Sequence, residues 1–353
     1  MPRPIQAHID MDALESNLQR VRRATSARIM SVIKADGYGH GLLRAAEALA
    51  ATDGYALLDI QDAVKLRDAG FRQPILLLEG FFGAEDLPVI AEYDLTSVIH
   101  SADQIALLDN YPGDRTLDIW LKVNSGMNRL GFSPQHVAHA VEQLRRHRAV
   151  CDITLMTHFA NADEARGTAE PLALFNEIAA PYRSARSMAN SAALLRYPET
   201  HGDWVRPGIM LYGASPYAEV SAQQLGLQPV MTLSSHLIAT QLLRVGEEVG
   251  YGALFRAEHA MRIGIVACGY ADGYPRHAPN GTPILVDGQR TRTVGRISMD
   301  MLYVDLSALP LAAVGSRVVL WGKGLPIEEV AHAAGTVSYE LMCALTERVL
   351  IVT

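Results

Sequence analysis

Val32-Ile33-Lys34-Ala35-Asp36-Gly37-Tyr38-Gly39-His40-Gly41 is the stretch from which the fold of this chain is read. An apolar run, Ile29 to Ile33, ends at one lysine, three glycines follow by position 41, and a helical pattern runs from Leu42 to Ala50. The order is strand, lysine, tight loop, helix. A lysine at the end of a buried strand can lose hydration, which lowers its pKa and makes the neutral amine available as a nucleophile or base. Lys34 is therefore the first catalytic candidate; the plainer reading is a phosphate-binding or solvated lysine beside a flexible turn.

Outward from this stretch the same unit repeats. Candidate strands lie at Ile29 to Ile33, Tyr55 to Leu58, Ile75 to Leu78, Thr96 to Ile99, Leu117 to Lys122, Ile153 to Thr157, Ser187 to Asn190 and Trp204 to Arg206. Most are followed by helical segments, among them Ile60 to Ala69 closed by Gly70, Ala102 to Leu108 behind a Ser101 cap, and Pro134 to Arg146. Eight short strands alternating with helices fit a (β/α)8 TIM-type barrel better than a doubly wound sheet. The segments at Ser187 and Trp204 are weak strands on pattern alone, which leaves a seven-strand or open-sheet reading alive. Upstream, a short strand, Ala7 to Ile9, precedes a helix that Asp12 would cap.

Beyond Gln228 the texture changes. Met231 to Leu243, Arg262 to Ala267, Thr282 to Val286, Thr291 to Gly295, Met301 to Leu306 and Arg317 to Trp321 are β-like runs separated by turns such as Asp287-Gly288, while Ile327 to Ala334 and Tyr339 to Arg348 look helical. The expected division is a barrel over residues 1–227 and a mostly β domain over residues 228–353, with residues 1–11 as candidates for pairing with the latter.

Composition narrows the function classes. The 353 residues are 49% hydrophobic and 20% charged, with a net charge of -7 and no basic block, which argues against nucleic-acid and anionic-membrane surfaces. Cys151, Cys268 and Cys343 form no Cys-x-x-Cys pair, so neither a disulfide framework nor a metal site is expected. Without a long apolar segment, the chain is expected to be cytoplasmic.

In a barrel of this kind, chemistry sits at the C-terminal ends of the strands. Lys34 follows the first strand, Lys122 ends the fifth, His158 follows the sixth, Ser191 follows the seventh and Arg206 ends the eighth. Taken singly, Lys122 reads as a surface charge, His158 as a satisfied core histidine and Arg206 as an ion-pair partner. The same phase on five strands points to one mouth. Phosphate sites in such barrels are built from the loops after strands seven and eight, where Asn190-Ser191-Ala192 and Gly208-Ile209 offer a hydroxyl, backbone N–H groups and a close-approach glycine. A phosphorylated ligand beside an amine nucleophile suggests pyridoxal phosphate, although a phosphosugar aldolase with an imine-forming lysine satisfies the same constraints.

Val32 to Gly41 resembles the pyridoxal-phosphate attachment signature of the alanine racemase family. The likeness recurs in Lys122-Val-Asn-Ser-Gly-Met-Asn-Arg129-Leu-Gly, Thr157-His158-Phe-Ala, Asn190-Ser191, Val205-Arg206-Pro-Gly-Ile-Met-Leu-Tyr-Gly213, Val249-Gly-Tyr251-Gly, Gly269-Tyr270-Ala-Asp-Gly-Tyr-Pro-Arg276, Gly295-Arg-Ile-Ser-Met299-Asp300 and Ser338-Tyr339-Glu-Leu. Asn124 departs from the aspartate found in many members. The resemblance implies a barrel, a β domain and a head-to-tail homodimer with shared active sites, acting on alanine to supply D-alanine for peptidoglycan precursors or, in the catabolic direction, L-alanine. It implies that Lys34 carries the cofactor; that Tyr38, Ser191, Gly208, Ile209 and Tyr339 hold its phosphate; and that Arg206 faces its ring nitrogen, with His158 also in the cofactor site. Tyr251 would arrive from the partner subunit near His158, with Tyr270 and Met299 at the substrate entrance. Arg129 would bind the substrate carboxylate, oriented by a carbamylated Lys122.

Racemisation then requires a base on each face of Cα, Lys34 on one and Tyr251 on the other, the phenol being helped by cationic neighbours. An arginine facing the ring nitrogen, being protonated throughout, makes the ring a weaker electron sink than an acid would and speaks against a decarboxylase of the same barrel class. A broad-specificity racemase and a non-catalytic cofactor carrier are the remaining alternatives, the carrier resembling the barrel half alone. Side activity on serine stays open.

Overall fold

A computed structural model describes residues 3–353. The chain divides into two units, one comprising residues 15–37 and 41–211 and the other residues 3–14, 38–40 and 212–353.

In the first unit, strands Arg28–Val32, Gly54–Leu57, Ile75–Leu77, Thr96–Ile99, Leu117–Lys122, Val150–Met156, Arg186–Ser187 and Trp204–Val205 form a closed parallel barrel. Closure comes from the eighth strand pairing with the first, Arg28 opposite Trp204 and Ile29 opposite Val205. The strands read as near-continuous apolar runs because parallel strands in a barrel are buried on both faces; Ile75, Leu76 and Leu77 are all fully buried. Gly54 is tightly packed: a Cβ there would stand 2.8 Å from the Met30 sulfur and 3.0 Å from the Pro74 carbonyl oxygen. The seventh and eighth strands are only two residues each, so the weak pattern at Ser187 and Trp204 reflects short strands rather than an open sheet. At the N-terminal side of the strands, buried Arg67 donates to the carbonyls of Phe71, Gln73, Tyr93 and Asp94 at 2.8–3.0 Å and satisfies loop backbone that would otherwise be stranded.

The second unit is built on an eight-stranded sheet whose centre is the 13-residue strand Met231–Leu243. Its first half pairs with Gln6–Ile9 and Arg317–Trp321 and its second half with Met261–Val266, so the sheet curls back on itself. The hairpin Pro283–Val286 to Gln289–Val294 turns through Asp287 and Gly288, at φ 48° and 76°, the mirror-type turn that Asp-Gly favours.

Two local expectations are corrected. The helix Met11–Ala24 is capped by Asp10, whose carboxylate accepts the Ala13 N–H at 2.9 Å; Asp12 lies inside the first turn, where its charge suits the helix dipole. The helix expected over Tyr339 to Arg348 ends at Cys343, because Thr346 hydroxyl donates to the Ala271 carbonyl at 2.8 Å and Arg348 is drawn to Asp272 and Asp300. Leu350–Val352 then forms a strand parallel to Gln6–Ile9. Among the described residues, no helix is long and apolar enough to cross a membrane.

Candidate active site

The stretch after the first barrel strand is not a simple loop. Ala35, Asp36, Gly37, Tyr38 and Gly39 have φ of 52°, 53°, 60°, 54° and 79°, a left-handed turn continued over five residues. Left-handed backbone is costly for residues with a Cβ, and such strain persists only where the surroundings enforce it. Asp36 helps, its carboxylate accepting the Leu42 N–H at 2.7 Å at the start of the helix Leu42–Ala48. Lys34, half-buried, stands where the extended strand gives way to this turn.

The strand ends of the barrel bring Lys34, Lys122, Arg129 and Arg206 within electrostatic reach of His158, and burial together with these cations pushes the imidazole well below its ordinary pKa. Lys122, on the fifth strand, is buried; desolvation first, then Arg206, Arg129 and Lys34, lower its amine to about 8 against the opposing pull of Glu79. Arg206 is buried too, and burial alone brings it down to about 10, still protonated at neutral pH. Its Nη1 donates to Ser187 Oγ at 2.6 Å; its Nη2 donates to the Thr157 carbonyl at 2.6 Å and the Met188 carbonyl at 3.3 Å, and meets His158 Nδ1 at 3.4 Å. These bonds use one Nη1–H and both Nη2–H groups and leave the Nε–H and the second Nη1–H for a ligand.

Beside this cationic group, Gly208 N–H donates to Ser191 Oγ at 2.9 Å, joining the loops after the seventh and eighth strands. Ser191 opens the helix Ser191–Arg196, with Asn190 Oδ1 accepting the Ala193 N–H at 3.0 Å, and Ile209 follows fully buried. Arg129 shares a crevice with Lys122 and His158. Its loop is shaped by Asn124, which accepts the Gly126 and Asn128 N–H groups and donates to Asn128 Oδ1 at 2.9 Å, so the departure at position 124 bears on how Arg129 is held.

Glu79 after the third strand and His100 after the fourth were not singled out from sequence, yet both act on Lys122 or feel its charge. The strand-end phase that selected Lys122 and Arg206 applies equally to Leu77-Leu78-Glu79 and Ile99-His100.

In the second unit, the Tyr38 ring stacks on Tyr212 with centroids 4.5 Å apart and lies 5.9 Å from Tyr339, and burial raises the Tyr38 phenol well above its ordinary range. Elsewhere in this unit Tyr251, Tyr270 and Met299 line one open cavity of about 730 Å³ with Arg276 and Tyr303. Tyr251 is 70% exposed between Gly250 and Gly252, both at φ above 70° or equal to it, a backbone that presents the ring outward.

The chain is similar to known proteins over its whole length. Residues 9–216 match the model of the alanine racemase N-terminal domain and residues 230–353 that of the C-terminal domain, so the likeness is not confined to the barrel. The alanine racemases of Nitrosospira multiformis and Nitrosomonas eutropha are 60% and 56% identical to it, covering 100% and 99% of this chain and 100% and 98% of their own. The crystal structure of biosynthetic alanine racemase from Pseudomonas aeruginosa superposes with a TM-score of 0.97 at 45% identity, covering 99% of each chain. With both domain models matched in order and a full-length relative at 60% identity, the chain belongs to the alanine racemase family.

Proposed function

We infer that this chain is an isomerase that interconverts L- and D-alanine with pyridoxal phosphate, the cofactor of its family. The observation that carries the reading is the convergence of Lys34, Lys122, Arg129 and Arg206 around His158, next to the Ser191–Gly208 pair. That donor set fits the cofactor: the cations favour a phosphate dianion and a substrate carboxylate, and a protonated, buried arginine offers a donor to a ring nitrogen.

Lys34 would hold the cofactor, Tyr38, Ser191, Gly208, Ile209 and Tyr339 its phosphate, Arg206 its ring nitrogen, with His158 against the ring's surroundings. When bound, the cofactor acidifies the Cα proton of the amino acid by drawing electron density into its ring. Lys34 Nζ then takes or returns that proton on one face and Tyr251 of the partner subunit does so on the other. The cationic field at the barrel mouth favours a phenolate entering it. Arg129 binds the substrate carboxylate. Lys122, with its amine near 8, has the neutral fraction needed to add CO2 and release a proton, giving a carbamate that would orient Arg129.

The homodimer belongs to this reading. Tyr251, Tyr270 and Met299 are 70%, 37% and 52% exposed around one cavity, as side chains are that wait for a second copy. The domain over residues 228–353 would complete the partner's site. The enzyme would work in the cytoplasm, and the similarity to a biosynthetic enzyme favours supply of D-alanine for peptidoglycan precursors. Incubating the purified, cofactor-loaded protein with L-alanine and following D-alanine tests the function directly; absence of D-alanine, or release of CO2 instead, would overturn it.

A further inference from the structure

Tyr270 and Met299 stand on two neighbouring segments of the mixed-β unit, the 269–274 turn and the 298–301 loop. These segments are bonded edge to edge: Tyr270 N–H donates to the Ser298 carbonyl at 3.1 Å and Ala271 N–H to the Met299 carbonyl at 3.0 Å. Their approach leaves no space for a side chain at Gly269, where a Cβ would lie 2.3 Å from the Met299 oxygen. Under this contact sits Asp272, its carboxylate wholly buried. Oδ2 accepts the Gly269 N–H at 2.9 Å and the Arg3 Nη2–H at 3.1 Å, while Oδ1 accepts no hydrogen bond and is held by charge alone, 3.1 Å from Arg348 Nε.

Both arginines then reach the second segment. Arg3 Nη2 donates to the Asp300 carbonyl at 2.9 Å, and Arg348 Nη2 donates to the Asp300 carboxylate at 2.6 Å. Each guanidinium therefore spans the same two segments, although Arg3 and Arg348 are far apart in sequence. The Thr346 hydroxyl donates to the Ala271 carbonyl and so fastens the turn to the segment that carries Arg348.

Ion pairs whose arginines stay 36% and 38% exposed are a poor source of stability, because solvent screens them. What they supply is placement: Arg3 Nη2 bonds both Asp272 and the Asp300 carbonyl, and Arg348 sets its Nε against Asp272 while its Nη2 bonds Asp300, so each guanidinium holds the two segments at one separation. The groups joined here carry Tyr270 and Met299.

We propose that Asp272, clamped by Arg3 and Arg348, is a positioning residue that fixes the register of the Tyr270 turn against the Met299 loop and thereby the shape of the substrate entrance of the partner subunit. The substrate part of this statement rests on the reading above that Tyr270 and Met299 serve that entrance.

The test compares the cofactor-loaded dimer with Asp272→Asn, which keeps the shape and removes the charge, and with Arg348→Lys, which keeps the charge and removes the fork. Hydrogen exchange at the Tyr270 and Ala271 amides should speed up at least about tenfold in Asp272→Asn while barrel amides are unmoved. KM for both enantiomers should rise by about tenfold with kcat lowered less, because the entrance and not the proton transfer is disturbed. Combined with Tyr270→Ala, Asp272→Asn should add little further loss in kcat/KM, as two changes to one device do. Unchanged exchange at the two amides, a loss confined to kcat, or full additivity with Tyr270→Ala would overturn the proposal. If Tyr270→Ala and Met299→Ala leave KM unchanged, the entrance reading fails, and the exchange data still decide whether Asp272 holds the two segments. Should Asp272→Asn not fold, Arg348→Lys gives the same readouts, with smaller shifts expected and none contradicting.

Discussion

Nη2 of Arg206 lies 3.4 Å from Nδ1 of His158. A guanidinium offers donors and no acceptor, so this contact favours a neutral imidazole with its lone pair on Nδ1 and its proton on Nε2. Burial and four nearby cations hold that state, moving the pKa well below the ordinary 6.5. In the unfolded chain the ring takes up a proton as pH falls through about 6.5 while the folded form does not, so its contribution to stability is complete above 6.5 and is lost progressively below. Thermal unfolding of His158→Gln and the parent between pH 7 and pH 5 checks this. The parent should lose more stability than the variant over that interval; parallel curves would count against it.

Lys122 offers a second chemical test. An amine lowered from 10.5 to about 8 has roughly 300 times more neutral form at pH 7 than an ordinary lysine. In 13C-bicarbonate the protein should show a carbamate carbon signal that is absent from Lys122→Arg. No signal in the parent would remove the proposed orientation of Arg129.

The left-handed turn behind Lys34 makes position 37 intolerant. Gly37 combines φ of 60° with a Cβ site 2.8 Å from the Ala45 Cβ, whereas Gly70, at φ 93°, has open space around it. Gly37→Ala should therefore cost about 2 kcal/mol or more, strain plus clash, and Gly70→Ala only about 1 kcal/mol, strain alone. Denaturant unfolding of the two variants measures the difference; equal costs would mean that the turn relaxes freely.

These cases show what the sequence carries and what it does not. The barrel was legible because a buried parallel strand is a run of apolar residues and its polar end is the next residue along, as at Ile33-Lys34 and Leu121-Lys122. Glu79 and His100 obey the same phase but resemble the acidic or polar start of any loop, so nothing local sets them apart. Gly37 and Gly39 signal a turn, but Ala35 and Tyr38 ordinarily avoid left-handed backbone, so its run over five residues is imposed by their surroundings. The end of the last helix at Cys343 was likewise fixed by partners distant in sequence, Ala271, Asp272 and Asp300.

If Lys34 and Tyr251 act on opposite faces of Cα, each enantiomer depends on a different base for the first proton transfer. Tyr251→Phe should slow solvent-deuterium exchange into one enantiomer of alanine by about a hundredfold or more relative to the other when each is followed in its first turnover. Equal small losses in both directions would sink the assignment of Tyr251 as a base.

The central claim is that one active site joins Lys34 of one chain to Tyr251 of another. Lys34→Ala and Tyr251→Phe, each expected to lose racemisation alone, are to be mixed, dissociated and reassembled. Random pairing makes about half the dimers mixed, each with one intact site, so activity should return to about a quarter of the parent level. Activity no higher than that of the separate variants would contradict a site shared between subunits.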